Sequence, residues 1–204
     1  MKIALFGATG TIGSRIAREA VSRGHHVTAL SRRGADAGVD GVESATGDLG
    51  DPTSVSEAAS AHDVIVSATG PSRTGESHEP WIAATQNLID HAGSTRVVFV
   101  GGAGSLRLPD GTRLLDSEGF PEEYKAEATS GAATLDLFRA APAELDWTYF
   151  SPAPAIAPGE RTGTYTLGLD ELVGSQISAE DYAVALVDEL EQPRHRRQRF
   201  TAAG

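Results

Sequence analysis

The sequence predicts an α/β fold, a doubly wound parallel sheet, and three observations carry that expectation. Short apolar runs bounded by glycine or polar residues alternate along the chain with longer segments of helical periodicity. The connections between them are short. A strand–helix alternation with short links requires parallel strands covered on both faces, because right-handed crossovers place the helices there.

The elements follow in order. KIALF (2–6) is a buried strand ended by Gly7, and Ile12, Ile16, Ala17, Ala20 and Val21 then recur at helical spacing until Gly24. HVTAL (26–30) and VESAT (42–46) are the next strands, and TSVSEAAS (53–60) is a short helix capped by Asp51 or Thr53. DVIVSA (63–68) is a fourth strand, and EPWIAATQNLIDHA (79–92) is a helix with Pro80 in its first turn. RVVFV (96–100) is a fifth strand, residues 122–140 a long helix, WTYF (147–150) a sixth strand, AEDYAVALVDELE (179–191) a last helix and RQRFTA (197–202) a last strand. The result is one Rossmann-type domain over 1–204. Two segments lie outside the pattern, SLRLPDGTRLLD (105–116), which reads as a hairpin around Pro109-Asp110-Gly111, and the Gly-rich, irregular 159–176. Both follow the carboxyl ends of strands, the edge where such folds hold ligands.

Composition narrows the function classes. The 204 residues are 40% hydrophobic and 22% charged, enough for one well-buried core. With no cysteine, disulfides, thiolate catalysis and Cys-based zinc sites are excluded. No segment approaches the ~18 apolar residues of a membrane span, and the amino terminus enters a strand without an apolar leader, so the expected location is cytoplasmic. A net charge of -11 repels nucleic-acid backbones and anionic membranes. The dense basic run RHRRQR (194–199) sits at a helix end, where cations complement the dipole. The histidines show no metal-ligand spacing, and GxSxG is absent.

Gly7, Gly10 and Gly13 form GxxGxxG between the first strand and first helix. Gly7 permits a tight turn, Gly10 lets a diphosphate approach the backbone, and Gly13 lets the helix pack close to the sheet. The amides around Thr11 and Ile12, the helix dipole, and the Thr9 and Thr11 hydroxyls then face the phosphates. The same glycines also serve close packing alone. After the second strand, where an NAD site carries an acid, stand Ser31, Arg32 and Arg33. A guanidinium grips a 2′-phosphate that a carboxylate repels, which favours NADP(H) over NAD(H). An exposed basic turn is the plainer reading. Asp48 and Leu49 of GDL suit the adenine, and Ala68, Thr69 and Gly70 let a cofactor lie against the backbone.

GATGTIG, SRRG, GDL and SATG, with VVFVGGAGS and DWTYFSPAP, resemble the atypical short-chain dehydrogenase/reductase superfamily over nearly the whole chain. Within it, the chain is most similar to small NAD(P)H-binding proteins grouped with NmrA-like and flavin-reductase (biliverdin reductase B)-like members. The resemblance implies a nicotinamide near the fourth to sixth strand ends, at Ala68–Gly70, at Gly101, Gly102 and onward to Ser105, and at Ser151, Pro152 and Ala153. The family's YxxxK pair is missing: no tyrosine has a lysine four residues on, and Tyr124 and Lys125 are adjacent, about 100° apart on a helix. Where many relatives carry the lysine, this chain has Ser130 and Gly131.

Remaining catalytic candidates are Ser105, Tyr124, Lys125 and His78, each with a plainer reading as turn residue, surface group, partner of Glu122 or Glu127, or exposed loop histidine. Arg73 in the same loop can reach a phosphate. Trp81 and Trp147 read as core. The expected function is hydride transfer from NADPH to a small acceptor: a flavin, a quinone or an activated carbonyl. A conjugated acceptor needs little proton assistance, whereas a plain ketone needs a positioned acid. Two alternatives stand beside it, an NADP(H)-binding redox sensor without turnover and an epimerase/dehydratase. A homodimer is compatible with the sequence.

Overall fold

The computed structural model describes residues 1–204. Five parallel strands form one side of its main sheet: β1 (Lys2–Phe6), β2 (His26–Ser31), β3 (Val42–Thr46) at the edge, β4 (Val64–Ser67) and β5 (Arg96–Val100). The sheet continues through β6 (Trp147–Pro152) and β10 (Gln198–Ala203), also parallel, to β8 (Thr166–Gly168), which is antiparallel. The strand order is β3-β2-β1-β4-β5-β6-β10-β8. Order reverses between β1 and β4, so the crevice opens above their carboxyl ends.

Alternation along β1 divides the core. Ile3 and Leu5 face α1 (Thr11–Ser22) and α5 (Ala179–Glu191), joining Ile16, Ala20, Tyr182 and Leu186. Ala4 and Phe6 face the opposite layer of α2 (Pro52–Ala61), α3 (Glu79–His91) and α4 (Glu122–Arg139), joining Val55, Leu88, Phe99 and Phe138. The caps are local. Asp51 accepts from the Thr53 amide at 3.1 Å and Ser178 from the Asp181 amide at 3.0 Å.

Three expectations change. The 105–116 hairpin shrinks to one antiparallel bridge, Arg107 to Arg113, with Gly111 at φ +86°, followed by a 3-10 turn over Leu114–Asp116. The 159–176 segment is not wholly irregular: it supplies β8 and the start of β9 (Gln176–Ser178), which pairs with β7 (Ala155–Ala157). The basic run 194–199 does not gather at one helix end. Arg196 pairs with Asp146, Arg197 donates to the Pro142 and Leu145 carbonyls at 2.7 Å each, and Arg199 is buried in β10.

Candidate dinucleotide site

The glycine turn joins β1 to α1 and is wedged between α1 and β4. At Gly7, φ is +86°, and an added Cβ would stand 2.6 Å from the Ala68 carbonyl oxygen. At Gly13 it would stand 2.1 Å from the Gly7 carbonyl oxygen. Both glycines are therefore required by the protein itself, as close-packing glycines. Gly10 is different. Its backbone is ordinary, φ −79° and ψ 168°, and its Cβ would meet only the Gly7 oxygen, at 3.4 Å. Nothing in the chain needs that position bare.

Above Gly10 the amides of Thr11, Ile12 and Gly13 find no acceptor, and Gly10, the N-cap, has no side chain to offer one. Thr9, Gly10 and Thr11 are exposed, Ile12 is half-buried, and no acidic side chain stands in the first turn. Free N–H groups at the positive end of a 12-residue helix, over a glycine that leaves room, suit a pyrophosphate.

One strand away, Ser31 ends β2 and accepts from the Ala35 amide at 2.7 Å, its own proton remaining free. Most arginines in this acidic chain are paired with carboxylates or capped onto oxygens; Arg18, Arg32 and Arg33 alone make neither an ion pair nor a hydrogen bond. Two of these three lie side by side just after β2, both exposed. Arg32 lines a wholly polar groove of about 260 Å³ with Thr46, Gly47, Asp48, Asp51, Ser54 and Glu57. Asp48 is held by the Gly50 amide on its Oδ1 and by its own amide donating to Ser54 Oγ, both at 2.9 Å. Leu49 is buried, and its carbonyl accepts from Asn87 at 2.8 Å.

The far half of the crevice is floored by Ala68, Thr69, Gly70, Gly101, Gly102, Ser151, Pro152 and Ala153. Ala68 is tied to β1 through its amide on the Phe6 carbonyl, 2.8 Å. Thr69 Oγ1 is 3.0 Å from Ser67 Oγ and accepts from Trp81 Nε1 at 3.3 Å, so Trp81, tilted on Phe99, props this edge from below. Gly101 has no room for a Cβ, because the Tyr149 ring would lie 1.9 Å away. Tyr149 itself is sealed: its hydroxyl donates to the Gly131 carbonyl at 2.8 Å, and burial pushes its pKa up to about 12. Ser151, Pro152 and Ala153, at the end of β6 and just after it, are buried.

The catalytic candidates are dispersed. His78 is engaged at both ring nitrogens, Nδ1 with Ser130 Oγ at 2.8 Å and Nε2 with the Ser72 carbonyl at 2.9 Å. A carbonyl only accepts, so Nε2 carries a proton. Ser105 Oγ accepts from Arg199 at 3.3 Å, at the root of the 105–116 insertion. Tyr124 and Lys125 are exposed in the first turn of α4, Lys125 reaching Glu122 at 3.5 Å. Arg73 is bound to Glu127 at 2.6 Å, which raises its pKa and straps the β4–α3 loop to α4. Trp147 is core as read; Trp81 is half-buried, with the Thr69 bond as a second duty.

Ser130 and the Arg199–Asp170 pair carry no sequence signal as site parts. The sequence marks Ser130 only as standing where relatives carry a lysine, yet it anchors His78. Arg199, with 1% of its side chain exposed, donates to Asp170 at 2.7 Å through Nε and spans to Ser105 and Ser151 at 3.3 and 3.5 Å. Asp170 also receives Arg139, and its carbonyl accepts from the Arg107 amide, so this pair ties the insertion to β10. Burial lowers the Arg199 pKa against the opposing pull of Asp170. No group of three or more His, Asp or Glu side chains is placed to hold a metal, and no helix is long and apolar enough to cross a membrane.

A family model described as NAD(P)H-binding matches residues 7–193. The chain belongs to the NAD(P)H-binding family. Its match begins at the first glycine of the turn and takes in β2 to β6, with α1 to α5. A Burkholderia pseudomallei structure, of a protein provisionally named as exported, is similar at 48% identity, 100% of both chains and TM-score 0.89. A Bacteroides thetaiotaomicron structure, provisionally named an epimerase, follows at 36% identity over 99% of this chain and 96% of that one, TM-score 0.87. A Streptococcus pneumoniae structure, provisionally named an NADH-flavin reductase, shares 34% identity over 100% of this chain and 99% of that one, TM-score 0.83. The family thus has the Rossmann-type fold and the NmrA-like, flavin-reductase-like kinship that the motifs suggested.

Proposed function

We propose that this chain is an NADPH-dependent oxidoreductase of the atypical short-chain dehydrogenase/reductase kind, acting on a small acceptor: a flavin, a quinone or an activated carbonyl. The observation that carries the reading is the pairing of three acceptor-less amides over Gly10 with two unpartnered guanidiniums at the end of the neighbouring strand. In this reading Thr11, Ile12 and Gly13 bind the pyrophosphate, with Thr9 beside them. Ser31, Arg32 and Arg33 hold a 2′-phosphate, and Asp48 and Leu49 receive the adenine. Ala68, Thr69, Gly70, Gly101, Gly102, Ser151, Pro152 and Ala153 floor the nicotinamide half. When bound, the reduced nicotinamide supplies hydride to the acceptor. The chain contributes position and dryness: Trp81 and Tyr149 fix the floor, and the Arg199–Asp170 pair fixes the insertion above it.

Lack of a Tyr–Lys pair favours acceptors that take hydride into a conjugated system and collect a proton from water. The name of the pneumococcal relative supports a flavin, although that name specifies NADH. The epimerase name of the Bacteroides relative finds no support in this chain's own residues, since Tyr149, Tyr165 and Tyr182 spend their hydroxyls on protein oxygens and Tyr124, whose hydroxyl is free, has Ala128 rather than a lysine four residues on. We place the protein in the cytoplasm, where nicotinamide pools are regenerated; cell fractionation checks this against the exported name of one relative. Its proposed partners are small molecules rather than nucleic acid or membrane, consistent with a net charge of -11.

The test is to mix the purified protein with NADPH and flavins, quinones and carbonyls, following loss of reduced-nicotinamide absorbance. Oxidation with a flavin or quinone is expected. Tight NADPH binding without oxidation by any acceptor would replace this reading with a sensor that does not turn over.

A further inference from the structure

We propose that the ring of Tyr124 is a stacking platform for a planar, conjugated acceptor, in a subsite overhanging the carboxyl edge of the sheet. The inference rests on the reading above, that a nicotinamide lies on that edge.

The register of α4 against the edge carries the argument. Gly131 packs against Gly102, an added Cβ falling 3.8 Å from the Gly102 backbone. Ala128 packs against Gly104, whose own added Cβ would lie 2.6 Å from the Ala128 methyl. Residues 124, 128, 131 and 135 share one helical face, and Leu135 at the far end is buried in the core. One turn toward the amino end, Tyr124 therefore continues the same face about 6 Å beyond Ala128, outward from the carboxyl end of β5.

This position is costly for a core residue and well placed for a ligand. Tyr124 is 57% exposed, the most exposed large hydrophobic side chain in the protein. The other tyrosines donate their hydroxyls to Gly131, Asp188 and Phe150; that of Tyr124 has no partner. On one side, Leu115 and Phe120 pack against Ala128 and close the gap under the insertion. On the other stands the Arg73–Glu127 strap, 2.6 Å. The flanking cations are already engaged, Arg73 with Glu127 and Lys125 with Glu122. Recognition would therefore come from the π face rather than from charge, which selects flat conjugated rings such as isoalloxazines and quinones, with or without an anionic tail.

Full-length protein saturated with NADP+ is titrated with riboflavin and with FMN, following quenching of flavin fluorescence, for the wild-type chain, Tyr124→Phe and Tyr124→Ala. The expected result is similar affinity for both flavins, retention in Tyr124→Phe, and a loss of about tenfold (~1.4 kcal/mol) in Tyr124→Ala. NADPH affinity and circular dichroism should be unchanged in all three. In steady-state assays Tyr124→Ala should raise KM for flavin with little change in kcat, and leave a small non-planar carbonyl unaffected. Unchanged flavin binding in Tyr124→Ala, or no flavin binding by the wild-type chain, overturns the platform. Failure to bind NADPH would instead strike the functional reading, and the flavin titration of the free chain would then judge the platform by itself.

Discussion

Gly10→Ala separates what the protein needs from what a ligand needs. At φ −79° and ψ 168° alanine is unstrained, and its methyl would touch only the Gly7 oxygen at 3.4 Å, the edge of ordinary contact. Two small effects on stability oppose each other. Replacing glycine at a compatible backbone position stabilises by about 0.4–1 kcal/mol through the unfolded chain. Alanine is a poorer N-cap than glycine by a comparable amount, roughly 0.5–1 kcal/mol. In a chain of this size 1 kcal/mol moves Tm by about 2–4 °C, so Tm should stay within about 2 °C of wild type. The methyl would, however, stand among the acceptor-less amides of Thr11, Ile12 and Gly13. Losing one charge-assisted bond there costs about 1.5–3 kcal/mol, a fall in NADPH affinity of roughly 10- to 100-fold. Differential scanning calorimetry and isothermal titration calorimetry measure the two quantities on one preparation. A variant that keeps both its Tm and its NADPH affinity would refute the assignment of this turn to the pyrophosphate.

Other outcomes are expected. Gly13→Ala forces a methyl to 2.1 Å from a backbone oxygen, so it should lower Tm by several degrees as well as weaken NADPH, overpacking costing about 1–3 kcal/mol. Arg32→Ala should weaken NADPH roughly tenfold while moving NADH by less than about twofold, because an exposed guanidinium–phosphate pair is worth ~1–2 kcal/mol; equal losses would place the 2′-phosphate elsewhere. Thermal melts should show stability falling in acid. Glu19 is held below its ordinary value of about 4.3 by Arg161 and then Arg23, so the unfolded chain takes up protons first. The stabilisation is whole above that ordinary value and is lost as pH falls through the folded one. Glu19→Gln should flatten this acid limb. Asp170→Ala leaves Arg199, 1% exposed, without its carboxylate, and should cost about 3–5 kcal/mol while loosening the insertion, read as a lower Tm and a higher KM for acceptor.

The sheet was legible because its parallel strands are buried on both faces and read as unbroken apolar runs, as in KIALF and RVVFV, each ended by glycine or a polar residue. The glycine turn was legible for a similar reason: Gly7 and Gly13 answer to backbone contacts under 3 Å that no other residue tolerates. Short edge strands were not. At three residues each, β7, β8 and β9 are too brief for a period to show. The 105–116 alternation reads as a hairpin and a short one forms, its Leu108 and Leu114 amides donating to the Thr112 and Leu106 carbonyls; its further pairing with Asp170 and Leu172 left no local signal. Pairings between distant residues leave no local trace. Arg199 lies 29 positions from Asp170, and its place in RHRRQR suggested a solvated charge. His78 and Ser130, 52 positions apart, carried no shared pattern. Tyr124 was visible only as a tyrosine lacking its lysine; its role depends on the register of α4 over Gly102 and Gly104, which spacing alone cannot supply.

Amide resonances report the crevice most directly. In a nitrogen-15-labelled sample titrated with NADPH, Thr11, Ile12 and Gly13 should shift most, together with Arg32 and Arg33, whereas NADH should move the first group and leave the two arginines nearly still. Shifts confined to other parts of the sheet, or none with either nucleotide, would contradict the claim that this turn and its neighbouring guanidiniums hold a phosphorylated dinucleotide.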